Sequence, residues 1–215
     1  MPDDRPPALL LLGPTGSGKT PLGQLLERRG WAGCPCVHFD FGENLRRAAA
    51  SDEPDAVVSL ADIEFLRQVL ATGALLEDEQ FPLAARILRG FLARRGVAPA
   101  TWVVLNGLPR HEGQAERISA IVDVRTVVVL QCSPDTVLTR IQADTGGDRR
   151  GRPDDGLDDI RRKLAIFAAR TQPLLDYYRR RNVLVAELAV TGTATAAEMY
   201  ARLSAACLLP SGPLF

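Results

Sequence analysis

The stretch Gly13-Pro14-Thr15-Gly16-Ser17-Gly18-Lys19-Thr20 has the residue types and spacing of a phosphate cradle, G-x-x-x-x-G-K-T. Its glycines let the backbone curl until successive N–H groups point inward at an anion. Lys19 adds a cation able to reach the β- and γ-phosphates of a nucleoside triphosphate, and the Thr20 hydroxyl is placed to ligate Mg²⁺. Gly13, Gly16, Ser17 and Gly18 complete the set expected on the triphosphate side. The elements that must hold this loop flank it. Leu9-Leu10-Leu11-Leu12 reads as a buried strand. The helix expected after the loop, stopped near Gly30, turns its positive end toward the same phosphates.

Size and composition fit a carrier for such a loop. A chain of 215 residues suits one α/β domain with small insertions, and a hydrophobic fraction of 46% is enough to bury a core. Lys+Arg and Asp+Glu are 26 each, so no net field draws the protein to nucleic acid or membrane. The start, Met1-Pro2-Asp3-Asp4-Arg5-Pro6-Pro7, lacks the apolar core of a signal peptide, and no apolar run is long enough to cross a bilayer. A cytoplasmic protein is the expectation. Cys34-Pro35-Cys36 with His38 nearby lacks a second ligand pair at zinc spacing. Cys132 and Cys207 read as small core hydrophobes, and all four thiols are expected to be reduced.

Further along, short apolar runs alternate with helical patterns. Strands are predicted at 37–40, 102–106, 125–131 and 183–185. Helical character begins at Phe41 and continues through an excursion over 51–75, interrupted by Pro54 and Gly73. Helices are predicted over 81–95, 114–122, 134–143 with Ser133 as N-cap, 157–181 and 194–208. Residues 144–156 are polar and aperiodic, which predicts a mobile loop. Five strands alternating with helices imply a three-layer α/β/α domain around a five-stranded, mainly parallel sheet.

Several stretches, taken in order from Leu9 to Leu203, resemble the adenylate kinase family of P-loop nucleoside monophosphate kinases, in its short-lid form. They are the glycine loop, Gly42-Glu43-Asn44-Leu45-Arg46, Gly73-Ala74-Leu75-Leu76, Gly107-Leu108-Pro109-Arg110 with Gln114, and Arg152-Pro153-Asp154-Asp155. The resemblance implies a single kinase domain over 1–215. Within it, a helical module at 41–75 would hold the monophosphate and a lid at 143–156 would close over both nucleotides, leaving a tail at 209–215. Arg46 and Arg110 look like the pair that grips the acceptor's α-phosphate, a task that suits the guanidinium fork. Gln114, one helical turn after Arg110, matches the glutamine that reads the adenine edge of AMP, where pyrimidine-specific relatives usually carry another residue. Phe41, Gly42, Leu70, Leu76 and Gly107 match other acceptor-side positions, and Gly192 resembles the glycine near the ATP adenine. Arg140 and Arg152 match catalytic arginines around the lid, to which Arg149, Arg150, Asp154 and Asp155 also belong. The lid has no cysteines, so the zinc-bearing version is not expected.

Three positions depart from the family pattern. Asn106 stands where relatives carry an aspartate that helps to hold the Mg²⁺ shell; its amide oxygen can accept from a metal-bound water but lacks the charge. Lys163 falls where the family has an arginine, and Arg162 beside it is a candidate substitute. Phe41 replaces a threonine or alanine that touches the acceptor base. The leading expectation is transfer from Mg²⁺-bound ATP to AMP by a monomeric enzyme. The competing ones are a kinase for UMP, CMP or another small acceptor, and a nucleotide-binding regulatory module with low turnover.

Overall fold

The computed structural model describes residues 5–74, 76–148 and 156–208. Its centre is β1 (Pro7–Leu12), six residues buried along their whole length. Beside it lie β3 (Trp102–Asn106) and β4 (Asp123–Gln131), with β2 (Cys36–Asp40) and β5 (Leu184–Ala189) outside them. The order is β2-β3-β1-β4-β5, and all four pairings are parallel. The leucine run is apolar at every position because both faces of β1 are covered. Alternate residues serve opposite layers, as the two-residue strand period requires. Ala8, Leu10 and Leu12 join Phe39, Val103 and Leu105 under one set of helices. Leu9 and Leu11 join Val104, Val128 and Leu130 under the other.

The second layer is built by α1 (Lys19–Arg29) and α9 (Ala196–Leu208), through Leu22, Leu26, Met199 and Leu203. The first is built by α2 (Phe41–Ala49), α3 (Leu60–Thr72), α4 (Phe81–Arg94) and α5 (Glu112–Ile118). Local chemistry sets the helix ends. Ser59 and Asp62 form a reciprocal capping box at the start of α3, and Gly73 closes that helix in the left-handed region. The Ser133 hydroxyl accepts from the Thr136 N–H at the start of α6 (Pro134–Gln142), as expected.

Two helices depart from expectation. The predicted 114–122 helix ends at Ile118, where Ile121 and Val122 both donate to the Ile118 carbonyl and swing the chain into β4. The long helix predicted over 157–181 is α7 (Leu157–Ile166), a π-helical turn (Phe167–Thr171) and α8 (Leu174–Arg179). Pro173 supplies the reason, since it has no N–H to continue the ladder. Residues 143–146 form a turn, whereas 149–155 of the predicted lid, with Arg149, Arg150, Arg152, Asp154 and Asp155, lie outside the described residues, as does the 209–215 tail. No helix among the described residues is long and apolar enough to cross a membrane.

Candidate active site

The glycine loop leaves the C-terminal end of β1 and runs straight into α1. Gly18 sits at φ 98°, and a Cβ there would lie 2.9 Å from the Met199 side chain and 3.1 Å from Arg140 Nη2. At Gly13 a Cβ would lie 2.7 Å from Ser17 Oγ and 2.9 Å from the Leu130 carbonyl. Neither position has room or backbone freedom for another residue. Ser17 is fully buried, and its hydroxyl has no partner among the described residues. Lys19 Nζ donates to the Gly13 and Pro14 carbonyls, both at 2.7 Å, so the ammonium is held over the loop.

Below the loop, three side chains from three elements converge. Thr20 Oγ1 donates to Asp40 Oδ2 at 2.8 Å. Asn106 Nδ2 donates to that same oxygen at 2.8 Å and to Thr20 Oγ1 at 3.1 Å. Strand register brings them together, because Asp40 and Asn106 are paired residues at the ends of β2 and β3. Asp40 Oδ1 accepts from the Glu43 N–H at 2.9 Å and so caps α2. A carboxylate only accepts, so Asn106 must turn its amide nitrogen toward it. That commits the Asn106 Nδ2 to Asp40 and Thr20. The donors that remain, a hydroxyl and a carboxylate beside a phosphate loop, fit Mg²⁺, which prefers hard oxygens and takes only one or two carboxylates besides substrate phosphates. No cluster of three or more His, Cys, Asp or Glu is found among the described residues.

The glycine loop and the acceptor candidates open onto one cleft. Lys19, Thr20, Asp40, Phe41, Gly42, Arg46, Leu70, Leu76, Asn106, Gly107, Arg110, Gln114 and Lys163 all line it. Arg46 is exposed, and its side chain makes no hydrogen bond or ion pair among the described residues. Arg110 donates from Nε to the Gly107 carbonyl at 3.0 Å; burial pulls its pKa down and the Asp40 charge pushes it back up. Gln114 is 1% exposed, accepts from the Arg110 N–H at 2.8 Å and donates to the Leu76 carbonyl at 2.7 Å. Each of its amide atoms keeps one bonding position in hand. The Phe41 ring turns inward, its centroid 6.0 Å from that of Phe39, so it walls the cleft without filling it. Lys163 faces the cleft, whereas Arg162 pairs with Asp159 at 2.6 Å and does not line it. The π-helical turn adds Phe167 and Thr171 to the lining.

Other sequence candidates lie off the cleft. Arg140 is 2% exposed and runs beneath the loop, donating to the carbonyls of Gly16 (3.0 Å), Thr191 (2.9 Å) and Ala194 (2.8 Å). It brackets the loop against the β5–α9 connection and leaves Nη2 for any ligand. The Gly192 carbonyl accepts from Thr145 Oγ1 at 3.0 Å. Cys34, Cys36 and Cys132 are free thiols, and burial pushes Cys36 up to about 12. Cys207 lies where side chains are outside the described residues. Sequence reasoning missed Asp40 and His111, a buried histidine whose Nε2 is 3.3 Å from the Leu76 carbonyl. The signal for Asp40 was its capping pattern with Glu43; its pairing with Asn106 appears only in the register.

Comparison with known proteins points the same way. A family model described as an AAA domain matches residues 9–162. An adenylate kinase of Thermus thermophilus is 29% identical over 205 residues, 93% of this chain and 96% of that protein. An adenylate kinase of Synechococcus strain WH7803 is 30% identical over 188 residues, 82% of this chain and 87% of that protein. One from Xanthomonas campestris pv. campestris strain B100 is 30% identical with the same two shares.

Proposed function

The chain belongs to the adenylate kinase family of P-loop nucleoside monophosphate kinases, and from that premise we propose that it transfers the γ-phosphoryl group of ATP to AMP, giving two ADP. The observation that carries this reading is the shared cleft, lined both by the glycine loop and by Arg46, Arg110 and Gln114. Phosphoryl transfer asks the protein for alignment and charge neutralisation more than for covalent chemistry. Lys19 would follow the β- and γ-phosphates, while Arg46 and Arg110 would hold the acceptor phosphate in line. Lys163, on the cleft wall, would add charge near the transferring group. Thr20, with the carboxylate beside it, would hold Mg²⁺, whose charge when bound would offset that of the triphosphate. The acceptor's own phosphate oxygen attacks and is already ionised, so no general base is needed. The remaining bonding positions of Gln114 suit a base edge that both donates and accepts, as adenine's does. The helices at 41–75 form the acceptor module in this reading, and 143–156 the lid that excludes water.

An acceptor panel tests this. With ATP and Mg²⁺, ADP formation should be fastest with AMP and slower with UMP or CMP, and Lys19→Ala should lower turnover by about 10²-fold or more. Nucleotide binding without product from any monophosphate would favour a regulatory module instead.

A further inference from the structure

We propose that Asp40, at the end of β2, supplies the carboxylate of the Mg²⁺ shell, and that Asn106 positions it. The inference rests on the kinase reading and deepens it. The family pattern expects this charge at position 106, on β3, where this chain has an amide. One strand over, paired in register with Asn106, stands a carboxylate whose Oδ2 takes hydrogen bonds from both Asn106 and Thr20. The charge has moved sideways by one strand and still touches the P-loop hydroxyl.

The hydrogen-bond count supports the assignment. Thr20 has one proton and two lone pairs. The proton goes to Asp40 and one lone pair accepts from Asn106, which leaves the second lone pair for a cation. Asp40 is 8% exposed and lines the cleft beside Lys19 and Thr20. Its Oδ1 caps α2, so the helix itself fixes the direction of the carboxylate. Asn106 is 5% exposed, and its amide nitrogen holds Oδ2 from the sheet side. It is a positioning residue, able to donate to Asp40 where an aspartate would repel it.

The test uses Mn²⁺ as the probe, the full chain, and a β,γ-imido analogue of ATP that is not turned over. Free Mn²⁺ is followed by electron paramagnetic resonance, and analogue affinity is measured with and without metal. Asp40→Asn keeps the helix cap and removes the charge. It should weaken Mn²⁺ binding to the protein–analogue complex about 10-fold or more, while metal-free analogue affinity does not fall, since the lost charge opposes the phosphates. The exchanged pair D40N/N106D returns a carboxylate to β3 and should recover most of that loss. Should Asp40→Asn not fold, Asp40→Ser, which also retains a capping oxygen, is read in the same way. Unchanged Mn²⁺ affinity in the charge-removed variant, or no recovery in the exchanged pair, overturns the assignment of the metal shell while the kinase reading survives. A wild-type chain that binds the analogue neither with nor without metal overturns both.

Discussion

Replacing Arg140 with methionine should cost stability before it costs chemistry. The guanidinium donates to three backbone carbonyls, of Gly16, Thr191 and Ala194, at 2.8–3.0 Å, from a residue 2% exposed. Hydrogen bonds from a charged donor contribute about 1.5–3 kcal/mol each, which gives a ceiling of about 4.5–9 kcal/mol. Two effects lower it. Burial already works against the charged guanidinium, as the downward pull on its pKa indicates. Methionine also fills much of the aliphatic space, so little cavity is left. Three carbonyls left short of a donor, at about 1–3 kcal/mol each and offset by the relieved burial of charge, give a net loss of about 3–5 kcal/mol. For a chain of this size that is a fall in Tm of roughly 6–20 °C. Arg140→Lys should fall between, since an ammonium keeps the charge without the fork. Urea unfolding measures the loss, and affinity for an ATP analogue measures its effect on the loop. The reasoning is refuted if Arg140→Met unfolds within about 1 kcal/mol of wild type while turnover falls about 100-fold; the guanidinium would then be serving phosphates and not bracketing the loop.

Gln114→Leu removes the bonds to the Leu76 carbonyl and the Arg110 N–H; at about 1–3 kcal/mol, kcat/KM for AMP should fall roughly 5- to 150-fold, and discrimination against UMP should narrow in the same acceptor panel. Gly23→Ala would put a Cβ 2.3 Å from the buried His38 Nε2. The gain in helix preference of about 1 kcal/mol is then met or exceeded by overpacking of about 1–3 kcal/mol, and adding His38→Ala should recover stability in a double-mutant cycle. His38 itself sets a pH dependence. Burial lowers its pKa in the folded state, against the opposing charges of Asp40, Glu27 and Glu43. The unfolded chain therefore takes up a proton below about pH 6.5 that the folded chain resists. The contribution is complete above that pH and is lost as pH falls, so urea midpoints should drop between about pH 7.5 and about pH 5, and less so in His38→Gln.

Much of the fold is legible in the residues because its signals are local. The all-leucine run of β1 marks a strand covered on both faces, Gly30 stops α1, and Ser133 starts α6. Likewise, Phe41, Gly42 and Gly107 reach the cleft from a first helical turn and a strand end, whereas Arg46 and Leu70 reach it from the last turns of α2 and α3. What was not legible depends on neighbours distant in sequence. The three bonds of Arg140 reach residues 124, 51 and 54 positions away. Asp40 and Asn106 are 66 residues apart and meet only because β2 pairs with β3. The break after α7 was signalled by Pro173, but its π-helical form and the side chains it turns to the cleft depend on packing that periodicity does not encode.

In the proposed reading the glycine loop and the Arg46–Arg110 pair, which line one cleft, hold the two substrates' phosphates together. Titration with a dinucleoside pentaphosphate, two adenosines joined by five phosphates, tests it most directly. One molecule should bind per chain, displaced by ATP and by AMP, and held about 10-fold less tightly after Arg46→Ala. Displacement by ATP alone, with no response to Arg46→Ala, would mean that only the glycine loop binds, and the paired cradles would not exist.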